Sequence, residues 1–204
     1  MAKYKAEPKM SLRRLLKRTI KNFFIALVLP VYAFYLLLRV TGSQDGIFAS
    51  FSQALSLVPG KIGIYVRAAF YRLACTNTSD EISVGFLTVF SHEDTTIQKG
   101  VYIGPQCNIG KCEIEEDTLL GSGVHILSGK NQHAFDDIEL SIQSQPGTFS
   151  KVTVGADCWI GNGAIVMANI GDKTVIAAGS VIVNEAEELS IYAGNPAKLV
   201  RKRA

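Results

Sequence analysis

Along the C-terminal third of the chain, branched aliphatic residues recur every six positions, most of them followed by glycine or another small residue. Val154, Ile160, Val166, Ile170, Ile176 and Ile182 are separated by 6, 6, 4, 6 and 6. An upstream block (Val84, Phe90, Ile97, Ile103, Ile109, Ile114, Leu120, Ile126) runs at 6, 7, 6, 6, 5, 6 and 6. Neither the 3.6-residue period of a helix nor the alternation of a half-buried strand fits these spacings. A β-helix does. Each short strand turns one large apolar side chain inward, and small or φ-permissive neighbours let the chain turn a corner. One coil has no core of its own, so coils must stack. The pattern predicts such a stack, with one corner two residues short between Val166 and Ile170.

The N-terminal third follows a different period. Leu12, Leu15, Leu16, Ile20, Phe23 and Phe24 fall at helical spacing. Between and before them lie Lys3, Lys5, Lys9, Arg13, Arg14, Lys17, Arg18 and Lys21, against the single acid Glu7. This profile predicts a helix whose basic face lies on an anionic membrane surface. The chain is then uncharged from Asn22 to Leu38 and closed by Arg39. As a helix that run reaches about 25 Å, short of the ~30 Å hydrocarbon core. Pro30 is expected to kink it. The basic lead favours a cytoplasmic N-terminus, and the short length with its mid-segment proline fits a re-entrant or monotopic insertion. A cleaved signal peptide would want an A-x-A site after the apolar run, which is missing.

Two more amphipathic helices are expected. One is marked by Ile47, Phe48, Phe51, Leu55 and Val58 and ended by Pro59-Gly60. The other presents Ile62, Tyr65, Val66, Ala69, Phe70 and Leu73, with Lys61, Arg67 and Arg72 flanking that face. Residues 75–81 read as the loop into the β-helix. The expected division is 1–42 membrane-associated segment, 43–79 helices and linker, and 80–204 left-handed parallel β-helix. The fold class is mainly β with an N-terminal α-helical membrane-associated region.

Composition sharpens the chemistry. The net charge of +3 on 204 residues is mild, and its basic part is interleaved with leucines, which argues against a nucleic-acid arm. Cys75, Cys107, Cys112 and Cys158 form no CxxC pair and have no histidine at zinc-ligand spacing, so buried reduced thiols are expected.

Three motifs, DCWIGNGA, VIAAGSV and AGNPAKLV, resemble those of the hexapeptide-repeat acyltransferases, in the branch that acetylates sugars and xenobiotics. The resemblance covers about residues 80 to 200. It implies a left-handed β-helix, a homotrimer, acetyl-CoA as acyl donor, no metal, and active sites between adjacent subunits.

The repeat is interrupted between Ile126 and Val154. Insertions into a solenoid form loops on one face, often the binding face. This loop carries His133, whose imidazole suits proton abstraction near neutral pH. Asp136 and Asp137 are close enough in sequence to orient it. The resemblance assigns His133 the general-base role. It also implies donor contacts at Trp159 (pantetheine wall), Asn162 (thiol end), Ala178, Gly179 and Ser180 (pantetheine amides), and Lys198 and Arg201 (nucleotide phosphates). Relatives often carry Thr-Lys where this chain has Val183-Asn184, which puts a nucleotide contact there in doubt. Gln106 and Asn108 fall near the acceptor side. His92 and His125 are expected to be structural or substrate-side. Their spacing to His133 departs from the zinc pattern of γ-class carbonic anhydrases.

The expectation is a membrane-associated CoA-dependent O-acyltransferase, in particular an acetyltransferase, at the cytoplasmic face of the inner membrane. Its acceptor would be a saccharide, lipid-linked, in bacterial polysaccharide biosynthesis. Two other readings stand beside it: acetyl transfer to a small amine or serine-like acceptor, and a non-catalytic trimeric membrane scaffold. Partners are a second and third copy, membrane lipid and the saccharide acceptor.

Overall fold

The computed structural model describes residues 12–203. Lys3, Lys5, Glu7 and Lys9, which the expected basic helix included, lie outside the described residues. Three helices open the chain: α1 (Leu12–Arg39), α2 (Gln44–Ser56) and α3 (Gly60–Ala74). Short strands follow: β1 (Ser83–Val84), β2 (Val89–Phe90), β3 (Thr96–Ile97), β4 (Tyr102–Ile103), β5 (Asn108–Ile109), β6 (Cys112–Ile114), β7 (Leu119–Leu120) and β8 (His125–Ile126). After a long loop come β9 (Val152–Val154), β10 (Trp159–Ile160), β11 (Ile165–Val166), β12 (Val175–Ile176), β13 (Val181–Ile182), β14 (Ser190–Gly194) and β15 (Ala197–Lys202).

The strands make a three-sided prism. One side is a seven-stranded sheet ordered β1-β4-β7-β10-β12-β14-β15, the next a five-stranded sheet of β2, β5, β8, β11 and β13, the last a three-stranded sheet of β3, β6 and β9. All pairings are parallel except β14 with β15. Register stacks like on like: Val84 on Ile103, Ile103 on Leu120, Leu120 on Ile160, Ile160 on Ile176. Every hexad residue from Val84 to Ile182 is at most 2% exposed. The short corner at Ile170 is present, and it recurs: Ile170 bridges Val154 below and Ala186 above. Ala186 escaped the sequence pattern because its side chain is too small to mark a hexad.

The helices close the first coil. Phe48, Phe70 and Tyr71 are fully buried, and Tyr71 meets Phe90 of the first coil at 4.3 Å between ring centroids. Ser52 Oγ lies 2.7 Å from the Tyr71 hydroxyl and accepts the Phe90 N–H at 2.8 Å. Arg67, expected to flank the apolar face, is instead fully buried. Its guanidinium donates to the carbonyls of Leu55, Ser56 and Val58 at the C-terminal end of α2, and to Val84 of β1. The last carbonyls of a helix lack intrahelical partners and attract a cation, so the charge has a reason to be inside.

Pro30 sits within a continuous α1 of 28 residues. The basic side chains of α1 also depart from expectation. Arg18 pairs with Asp80 at 2.6 Å, and Lys17 and Lys21 line a cavity with Asp80 and Glu81. These three turn toward the protein because its acids are there, while Arg13 and Arg14 stay exposed. The opposite face of α1 is apolar and exposed.

Candidate active site

The loop leaves β8 at the corner between the five- and three-stranded sheets and returns through β9. Its two arms are zipped together. Thr148 N–H donates to Asn131 O and Ala134 N–H to Pro146 O, both at 2.8 Å. Gly147 crosses so close to Gln132 that a Cβ there would sit 1.8 Å from the Gln132 carbonyl oxygen, which excludes any other residue without a shift of the backbone. Gln145, 8% exposed, fastens the tip: its Oε1 accepts from Asp137 N–H, and its Nε2 donates to the carbonyls of Asp137 and Leu140. At the base, Lys151 Nζ reaches Asp94 at 2.9 Å and Thr96 Oγ1 at 3.1 Å, while Lys111 meets the same carboxylate at 3.0 Å. These two ammonium groups hold the Asp94 carboxyl below its ordinary pKa.

His133 emerges from the zipped arm, exposed to solvent. Neither Asp136 nor Asp137 forms an ion pair with it, so the expected carboxylate orientation is absent within one chain. Asp137 Oδ1 accepts the Glu139 N–H at 2.9 Å, a local turn contact.

A groove lies on either side of the loop. Toward the first coils, a cavity of about 300 Å³ is lined by Ser91, His92, Asn108, His125, Gln132 and Phe149. His92 Nδ1 bonds Ser91 Oγ at 2.9 Å, and its ring rests 5.4 Å from Phe149. His125 stands directly above Asn108 on the outer face of the five-stranded sheet. Toward the last coils, a cavity of about 330 Å³ is lined by Lys130, Asn131, Met167, Asn169, Val183 and Asn184, among others. No cluster of three His, Cys, Asp or Glu side chains suited to a metal occurs among the described residues.

Of the residues expected to hold the donor, Asn162, Ala178, Gly179 and Ser180 lie at the other edge of the five-stranded sheet. Between it and the seven-stranded sheet the last coils turn at Gly123, Gly163 and Gly179, all at positive φ. A Cβ on Gly163 or Gly179 would meet nothing within 4 Å, so this corner is a bare ledge with its backbone accessible. Ala178 is exposed beside it. Ser180 is buried, and its hydroxyl accepts Gly194 N–H at 3.1 Å, so its side chain supports the ledge from inside. Asn162 Oδ1 accepts Ser122 N–H at 3.1 Å and ties one coil to the next. Trp159, 58% exposed, stacks on Leu119 in an outward apolar column of the seven-stranded sheet. Lys198 and Arg201, expected at the nucleotide phosphates, are exposed on β15, which pairs antiparallel with β14. Gln106 lies at the ledge corner with φ of 60°, away from Asn108.

The cysteines are buried and free. Burial pushes the Cys158 thiol up to about 11 and that of Cys112 to about 12, so neither is a nucleophile near neutral pH. Sequence reasoning missed Gln145, whose role depends on folding of the loop upon itself. It also missed Phe149, which the loop brings beside His92.

No family profile matches the chain. The chain is 33% identical over 113 residues to a probable macrolide acetyltransferase of Lysinibacillus sphaericus, covering 50% of this chain and 63% of that protein. It thus spans less than two thirds of that relative's length. Among solved structures, a maltose O-acetyltransferase from Clostridium difficile 630 superposes with a TM-score of 0.68 at 21% identity, covering 80% of this chain and 90% of that one. A hexapeptide-repeat containing acetyltransferase of Vibrio cholerae, complexed with acetyl coenzyme A, superposes with a TM-score of 0.58 at 13% identity, covering 80% and 91%. The fold is therefore that of the left-handed β-helix acetyltransferases.

Proposed function

We propose that the protein is a CoA-dependent O-acyltransferase, in particular an acetyltransferase, with His133 as general base. The observation that carries this is the break in an otherwise regular stack: one loop, fastened to itself and to Asp94, carries an exposed imidazole next to Asn131 and Gln132, which line the two flanking grooves. In the reaction His133 takes the proton of an acceptor hydroxyl while the hydroxyl oxygen attacks the thioester carbonyl. The tetrahedral intermediate collapses, the C–S bond breaks, and the imidazolium returns its proton to the departing thiolate. Backbone N–H groups are suited to stabilising the oxyanion.

The histidine loop and the glycine ledge flank opposite edges of one sheet, so a complete site takes the loop of one copy and the ledge of the next. A homotrimer meets this need. It would also cover Phe135, Ile138 and Ile142, which the loop exposes by 70%, 91% and 58%. The groove with His92, Asn108 and His125 is polar enough for a saccharide. The donor would run along Ala178 and Gly179, walled by Trp159, with Lys198 and Arg201 available to its phosphates. The apolar α1 supports association with the cytoplasmic face of the inner membrane and a lipid-linked acceptor in polysaccharide biosynthesis. The exposed histidine disfavours a purely scaffolding role.

His133→Ala should lower acetyl-CoA-dependent transfer by roughly 10²- to 10⁴-fold, the usual worth of a positioned base. Unfolding temperature and oligomer mass should stay as in the wild type. Wild-type turnover in this variant would remove the assignment. An acceptor screen, read by thiol release, separates hydroxyl from amine acceptors.

A further inference from the structure

We infer that α1 is an in-plane anchor, with its outward stripe Leu12, Leu16, Phe23, Leu27, Phe34 and Leu37 lying in the interface of an anionic bilayer. The inference rests on the membrane association proposed above and fixes its geometry.

By length and composition α1 could cross a membrane. Its attachments oppose that. Near one end Arg18 is bound to Asp80, and at the other Arg39 and the Tyr35 hydroxyl are both bound to Glu93. Asp80 precedes β1 and Glu93 follows β2, so both belong to the first coil. About 30 Å of helix separates Arg18 from Arg39, the thickness of the hydrocarbon core. A spanning α1 would therefore draw the first coil, with its polar turns, to every depth of the bilayer. Between its ends α1 also packs along α3, with Phe24 stacked on Tyr65 at 5.0 Å and Tyr35 edge-on to Phe70 at 5.6 Å. The helix lies across the end of the prism.

The face turned away from the protein is continuous and apolar. Five of the stripe residues are between 53% and 66% exposed, and Leu12 is 81% exposed. Leu57 and Ile62, at the α2–α3 turn, add 64% and 63% exposed apolar side chains. Charge selects the occupant. Between Leu12 and Ala74 the sole acid is Asp45, while Arg13, Arg14 and Lys61 are exposed. Such a layer repels a second copy of itself and is drawn to anionic headgroups. An amphipathic helix of this kind sits about 5–10 Å into the headgroup boundary.

The test uses the full chain and vesicles of phosphatidylcholine with one quarter phosphatidylglycerol. Spin labels at Leu16→Cys, Leu27→Cys and Leu37→Cys should report one common depth, since the native cysteines are buried. A depth that changes steadily from Leu16 to Leu37 would establish a span and overturn the inference. The triple variant Phe23→Ser, Leu27→Ser, Phe34→Ser should lose at least tenfold in vesicle binding while keeping its circular dichroism and its thiol release from acetyl-CoA in detergent. Unchanged vesicle binding, or a stripe-dependent dimer with no lipid contact, would also overturn it. Failure of the acyltransferase reading would show differently, as normal depth readings with no turnover.

Discussion

The helical layer and the coil stack solve the same problem, burial of an apolar core, by opposite means. The stack repeats one device: a branched aliphatic side chain per strand, set on its equivalent in the next coil. The helical layer repeats nothing. Its core is aromatic, with Phe51 and Phe70 stacked at 5.9 Å and Phe48 tilted on Tyr71 at 6.1 Å, and it contains a buried cation. In the stack each contact is made by neighbours of one kind, so a single loss is local and purely one of packing. In the layer, one side chain holds several elements at once, so its loss propagates.

The strongest way to break this contrast is at Arg67. Arg67→Met keeps much of the stem but strips four carbonyls of a charged donor. Leu55 O and Ser56 O keep the backbone donors Val58 N–H and Leu87 N–H, so the loss falls on the Val58 and Val84 carbonyls. Leaving buried acceptors unpaired costs about 1–3 kcal/mol each, so a loss of about 2–6 kcal/mol is expected. Denaturant unfolding followed by tyrosine fluorescence should become biphasic, the layer melting first. A single unshifted transition would show that the layer does not depend on this residue. Next is Ile109→Ala in the middle of the stack, expected to cost about 2–5 kcal/mol through its cavity. Here one cooperative transition should persist at lower denaturant. Ser52→Ala strikes the joint between the two regions. It orphans Phe90 N–H and the Tyr71 hydroxyl, at a cost of about 1–3 kcal/mol. Hydrogen exchange should quicken at Phe90 before it does at Ile109.

The smallest effect concerns pH. Asp94 has its folded pKa depressed by Lys151 and Lys111. Its stabilisation is therefore fully present above the unfolded carboxylate value near 4 and is lost as pH falls through the lower folded value. Amide protection at Ser150 and Val152, taken relative to the intrinsic exchange rate at each pH, should fall below about pH 4, with the stack itself unchanged. Protection that stays constant down to about pH 2 would show that the clamp does not hold the loop base.

The same contrast explains what was legible beforehand. The hexad residues could be named because each coil states its own inward position, and the pattern survives one break and one short corner. Ala186 was lost because a methyl group leaves no hydrophobic mark. His133 stood out because it falls where the repeat stops and the surrounding motif resembles a known family's. Arg67 could not be placed, because the carbonyls it satisfies belong to another helix and a strand. The basic residues of α1 were assigned to lipid because Asp80 and Glu93, their partners, are distant in sequence. Asp137 was near His133 in sequence, yet a two-residue turn to Glu139 claimed its carboxylate.

The two ends of the stack carry a further consequence. Parallel coils have no inherent length, and a bare terminal coil is a template on which another molecule could add, the start of a fibre. Here the first end is covered and one side of the last is folded back. At the first coil, Ser56 O accepts Leu87 N–H, Ser52 Oγ accepts Phe90 N–H, and Arg67 takes Val84 O. At the last, β15 reverses direction over β14 and presents Lys198 and Arg201 to solvent, where like charges on an arriving copy would repel. The helical layer and the reversed β15 thus turn growth away from the first coil and from the seven-stranded side of the last, which favours the sides of the prism for meeting other copies.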